Sequence, residues 1–166
     1  MPPILYLYER ILIMKKIIYT LVLIGLFGLS ANAATTADEV KTFFNSYVQA
    51  ANNFDPNLFQ KYYISTPKII RVVEKKDGTT QSVNVPLKTY LDEAAKGQKV
   101  GKMLGYKNNY SNIQITPQGN DFKVSATRLP SPGGKYAAYF IIGEDSNGKL
   151  KIKVESMNTP RQEFLK

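Results

Sequence analysis

Three observations predict an α+β fold with a mostly antiparallel sheet. Apolar residues recur at helical spacing from Val40 to Ala51. A β-branched stretch then folds back at Asp77-Gly78, and the last third of the chain holds four strand-like runs between short turn sequences. Helices first and strands later is the order of segregated layers rather than of alternating βα units.

The segment before these elements is of another kind. Met14-Lys15-Lys16 supplies a positive start, Ile17 to Leu29 an apolar run, and Ala31-Asn32-Ala33 a small-x-small end. Together they make the three parts of a secretory signal peptide. The run is about thirteen residues, short of the roughly twenty that cross a bilayer. Residues 1–33 are therefore expected to be removed after Ala33, with Met14 the true initiator, and 34–166 to form one domain. An uncleaved membrane anchor is the alternative. Cleavage leaves a periplasmic or secreted protein that is not embedded in a membrane.

No cysteine is present, so the exported domain holds together by packing alone and carries no lipid on an N-terminal thiol. The net charge is +9, of which Arg10, Lys15 and Lys16 with Glu9 account for two. Nucleic acid is the usual partner of so basic a cytosolic protein. Export turns the expectation toward an acidic envelope or protein partner, beside the simpler reading that lysine keeps the domain soluble.

Each element has its own warrant. In the first helix Val40, Phe43, Phe44, Tyr47, Val48 and Ala51 share one face, with Thr36 or Asp38 placed to cap it. Asp55-Pro56 opens a shorter helix, whose apolar side is Leu58, Phe59, Tyr62 and Tyr63 and which Thr66-Pro67 ends. Lys68 to Lys75 and Thr80 to Val85 form a hairpin, because Gly78 takes the positive φ of a tight turn. Leu87 to Leu104 reads as a third helix with Tyr90, Leu91 and Ala94 on one side, weakened by Gly97 and Gly101.

Four strands follow, at 106–116, 121–129, 136–143 and 149–157, joined by "PQGN", "PSPGG" and "EDSNG". Such short joints favour antiparallel neighbours. The strands around Ile69 to Val73 and Tyr136 to Ile142 are apolar on both faces and should be covered on both. In the last strand Leu150, Ile152 and Val154 point one way, while Lys149, Lys151, Lys153 and Glu155 point the other.

The chemistry available is narrow. Histidine is absent, which removes the commonest neutral-pH base and zinc ligand, and with cysteine missing no triad of the usual kind can be built. No phosphate-binding glycine loop follows a strand, and "EDSNGK" lacks the spaced carboxylates of a calcium loop. No catalytic residue, metal or cofactor is assigned. Asp92 and Glu93 are expected to face water, Glu74 to be a hairpin charge and Glu155 to pair with the lysine row. Arg71 and Arg128 sit in otherwise apolar strands; pointing inward, either would clamp a carboxylate or phosphate, and pointing outward would lay its stem on the sheet.

The aromatic helix "VKTFFNSYVQAANNFD", followed at once by "PNLFQKYY", then a hairpin, a third helix and a meander, resembles the nuclear transport factor 2-like superfamily, which includes ketosteroid isomerase-like and SnoaL-like proteins. The likeness runs from about Ala37 to Thr159. It implies a cone: a strongly curved sheet wrapped around the N-terminal helices, a cavity at the open end and an outer face often used for homodimerisation. The stretch from Leu87 to Leu104 is longer than the short helix the resemblance implies. Such a fold carries no chemistry of its own.

Phe43 to Tyr63 holds seven aromatic rings in twenty-one residues. The phenylalanines are expected to pack the core. Some tyrosines, which need a partner for the hydroxyl when buried, are candidates for a pocket wall. The expectation is an exported, non-enzymatic binding module taking a small amphipathic ligand on Tyr47, Tyr62 and Arg71, or an envelope partner. Its rivals are an immunity or inhibitor-type domain docking an acidic protein on Lys149, Lys151 and Lys153, and a histidine-free isomerase or hydratase.

Overall fold

A computed structural model describes residues 34–131 and 133–165. The expected signal peptide, residues 1–33, and its cleavage point lie outside the described residues. Helix α1 spans Ala37–Ala51, and Thr36 rather than Asp38 caps it: its hydroxyl accepts from the Glu39 amide while Glu39 reaches back to the Thr36 amide. This reciprocal pair satisfies two of the helix's orphan donors. Helix α2, Pro56–Phe59, starts on an Asp55 cap with proline first, as the sequence predicts.

One boundary differs. A 3-10 turn covers Gln60–Tyr62, and Tyr63 already belongs to strand β1, Tyr63–Glu74. Tyr63 therefore does not extend the apolar side of a helix; it pairs in register with Ile152 and turns its ring into the core. The strand runs on past Thr66-Pro67, which local punctuation marks as a break, although its pairing with β6 shifts register between Tyr63 and Lys68.

Strand β2 is Thr80–Val85 and helix α3 is Leu87–Met103, followed by β3 (Lys107–Gln118), β4 (Asp121–Ser131), β5 (Tyr136–Glu144) and β6 (Leu150–Thr159). Gly78 takes φ 81 in the β1–β2 turn, as the sequence requires. The strands form one mixed sheet in the order β2-β1-β6-β5-β4-β3, antiparallel except where β1 lies parallel to β6. The sheet is open, with β2 and β3 at its edges.

Three register shifts shape it, one of them between Tyr63 and Lys68 of β1, opposite β6. Between Ser111 and Gln114, β3 has one residue more than β4, and Asn112 there adopts φ 52, a conformation asparagine tolerates better than most. Around Lys153, β6 has one residue more than β5. Bulges bend a strand, increase its twist and shift the alternation of faces.

The inner face carries Ile69 and Val73 of β1, Val124 of β4, Phe140 and Ile142 of β5 and Ile152 and Met157 of β6, all buried. Helix α1 lies across it, with Phe44 edge-on to Phe140 at 4.9 Å and Tyr110 at 5.3 Å. Among the described residues nothing covers the outer face a second time: Ile70, Val72, Tyr139 and Ile141 stay half-buried there. Among the described residues no helix is long and apolar enough to cross a membrane.

Candidate functional site

Helix α3 roofs the sheet and leaves a cavity of about 490 Å³. Tyr90, Glu93, Ala94, Gly97, Val100, Gly101 and Leu104 line it, a stripe at three-and-four spacing. The facing wall comes from Tyr47, Val48 and Ala51 of α1, Arg71 of β1, Asn108 and Tyr110 of β3, Arg128 and Pro130 of β4, Tyr136 of β5 and Met157 of β6. Arg161 and Phe164, after β6, complete the lining with Phe54 and Phe59. The weak glycines of α3 have a spatial role. Gly101 lets the Phe54 ring approach so closely that an added Cβ would lie 3.1 Å from it, whereas a Cβ on Gly97 meets nothing within 4 Å.

Beneath this wall sits a buried polar knot. Glu155 is fully buried; one carboxylate oxygen takes the Arg71 Nη2 at 2.7 Å, and the other accepts from the Tyr47 hydroxyl at 2.8 Å and from the Tyr63 hydroxyl. The two hydroxyls also lie 2.7 Å apart. Arg71 donates its Nη1 to the Ile70 carbonyl, and its guanidinium lies 4.9 Å from the centre of the Tyr90 ring. Burial alone would lower the arginine's pKa, but the Glu155 carboxylate outweighs it and raises it above its ordinary value. Tyr47, Tyr63 and Tyr110 are pushed well above the usual tyrosine value, first by burial and then by the Glu155 charge, so they stay protonated.

The position of Glu155 corrects the sequence reading. Strict alternation puts it with Lys149, Lys151 and Lys153, but the extra residue at the Lys153 bulge turns Glu155 to the face of Ile152 and Met157. Its partners are Arg71 and two tyrosines rather than the lysines. Glu93 differs too: it is half-buried at the cavity wall, bound to Lys96 at 3.1 Å and near Arg161 at 3.9 Å, while Asp92 faces water beside Lys88.

The three ligand candidates separate. Tyr47 and Arg71 line the cavity, whereas Tyr62 packs against Phe43 and Tyr47 away from it. The lysines do not form a uniform free row: Lys149 is exposed, Lys151 donates to the Lys61 carbonyl, and Lys153 is bound to Asp121 at 2.7 Å. Sequence reasoning missed the α3 stripe below Ala94 and Arg161 beyond the last strand. The spacing of Tyr90, Ala94, Gly97 and Gly101 was the available signal.

A carboxylate and tyrosines thus converge, as an isomerase of the expected kind requires, but Glu155 already holds three donors and does not reach the cavity surface. A base so engaged has little capacity to take a further proton from a ligand. Among the described residues no three carboxylates gather to hold a metal.

The raised tyrosines have a measurable consequence. Because their folded pKa exceeds the unfolded value of about 10, the stability they contribute is complete below that pH and is lost as the pH rises above it. An alkaline titration is expected to show Tyr47 and Tyr63, the two buried tyrosines, ionising only as near-ultraviolet circular dichroism collapses. Smooth ionisation of every tyrosine in a folded protein would contradict the burial.

An open curved sheet holding a helix in its concavity, with a roofed cavity at one end, is the nuclear transport factor 2-like fold. No protein-family model matches the chain, and no curated protein matches it by sequence. Solved structures do match it. An NTF2-like protein of Cytophaga hutchinsonii superposes with a TM-score of 0.57 at 12% identity, over 75% of this chain and 98% of that one. One of unknown function from Pseudomonas putida gives 0.57 and 12% over 80% and 90%. An NTF2-like protein with a cystatin-like fold from Novosphingobium aromaticivorans gives 0.56 and 10% over 73% and 79%. At such identities the likeness is one of fold.

Proposed function

We propose that this chain is an exported, non-enzymatic binding module that holds a small amphipathic molecule under α3. The observation that carries the reading is the cavity of about 490 Å³. That size lies within the usual range for small-molecule sites, whose walls are largely apolar with a few placed polar groups. Saturation of Glu155 supports a guest over a reaction, and the "MKK" to "ANA" leader supports export. A second copy on the outer face belongs to the same reading, since Ile70, Val72, Tyr139 and Ile141 remain partly exposed there.

Gly97 provides the test. It lines the cavity with open space before it and has ordinary helical φ, so a phenylalanine fills the site without backbone strain. Native mass spectrometry of protein purified from its own host is expected to show a dimer with a retained small molecule, lost in Gly97→Phe. Gly97→Ala keeps the molecule and gains about 0.5–1 kcal/mol in a denaturant melt. Retention by Gly97→Phe, or an empty wild-type protein, would count against the proposal.

A further inference from the structure

Resting on that reading of the cavity, we infer that its guest carries a single carboxylate, and that Arg128 receives it. Three arginines line the cavity. Arg71 is neutralised by Glu155 at 2.7 Å, and Arg161 by Glu163 at 2.5 Å with Glu93 at 3.9 Å. Arg128 has no carboxylate partner among the described residues. Its Nη1 reaches the Asn108 Oδ1 at 3.3 Å and its Nη2 the Asn158 carbonyl at 3.4 Å, both neutral acceptors beyond the usual range for a good N–H···O bond. Its Nε is buried and donates to nothing.

A guanidinium offers five donors and cannot lose its charge. In a largely apolar wall, an unmatched cation is unfavourable until an acceptor arrives. The Tyr136 ring, 5.3 Å from the guanidinium carbon, supports the cation without neutralising it. A carboxylate matches the planar fork and supplies one negative charge for one positive. A dianionic phosphate would leave a charge unmatched. The helix wall opposite offers Ala94, Gly97 and Val100 to an apolar body.

Calorimetric titration near neutral pH with decanoate, decanol, decyl phosphate and decyltrimethylammonium separates the possibilities. Decanoate is expected to bind at least about tenfold tighter than decanol, the margin of one charge-assisted contact. Arg128→Met should erase that margin, decanoate then binding no tighter than decanol. Equal binding of decanoate and decanol to the wild-type protein overturns the carboxylate and leaves the cavity reading standing; this comparison decides even if Arg128→Met does not fold. A margin that survives in Arg128→Met overturns the placement, and tighter binding of decyl phosphate overturns the single charge. Failure of all four probes to bind overturns both the carboxylate and the cavity reading beneath it.

Discussion

Arg71→Met is expected to destabilise the domain by about 3–5 kcal/mol, because it strands a buried charge. Glu155 is fully buried and its nearest cation is the Arg71 guanidinium at 2.7 Å. Without it the carboxylate keeps only the Tyr47 and Tyr63 hydroxyls, which donate hydrogen bonds but bring no positive charge. Glu155→Leu should cost a similar amount by stranding the arginine instead. The double variant Arg71→Met with Glu155→Leu is expected to recover most of the loss, since an apolar pair of similar volume often replaces a buried ion pair at little cost.

A residual penalty identifies the tyrosines. Once the carboxylate is gone, Tyr47 and Tyr63 can bond each other across their 2.7 Å separation, leaving one hydroxyl donor unmatched. That donor costs about 1–3 kcal/mol, which replacing both rings together, Tyr47→Phe with Tyr63→Phe, should relieve. Urea melts of the two single variants and the double variant give the coupling directly. Strictly additive single effects would mean that the two charges do not depend on each other, and the knot would lose its role.

Phe140→Ala is the second large effect, about 3–5 kcal/mol. Phe140 is fully buried in mid-sheet and meets the rings of Phe44 at 4.9 Å, Tyr47 at 5.7 Å and Tyr110 at 6.0 Å. It joins α1 and β3 to its own strand β5, so its removal leaves a void that the rigid rings on α1 and β3 cannot close. Tyr62→Ala makes the contrast: half-buried in the 3-10 turn before β1 and away from the cavity, it should cost clearly less and leave ligand binding unchanged. Denaturant midpoints, with unchanged slopes, measure both. Equal losses would move the centre of the core toward Tyr62.

Much of the fold was readable in the chain because its signals are local. A cap at Thr36 or Asp38, Asp55-Pro56 and Asp77-Gly78 each act within a few residues, and the structure uses Thr36, Asp55-Pro56 and the Gly78 turn. Helix α3 ends within a residue of its predicted bound. The end of α2 was misread because Thr66-Pro67 resembles a stop, while pairing of β1 with β6 holds Tyr63 extended. Long-range pairing overrides such local punctuation.

The candidate site was readable only in part. Tyr47 and Arg71 could be picked out as an aromatic on an apolar face and a cation in an apolar strand, yet nothing near Arg71 names Glu155 as its partner. What the amino-acid order determined unaided was the list of elements, the oily face of α1 and the absence of histidine and cysteine chemistry. What only the tertiary structure decided was which charges meet. One extra residue at Lys153 carries Glu155 from the lysine side into the core, and among the described residues the sheet brings no carboxylate into ion-pair reach of Arg128. The reason is physical: face and burial depend on register between distant strands, which local periodicity does not encode.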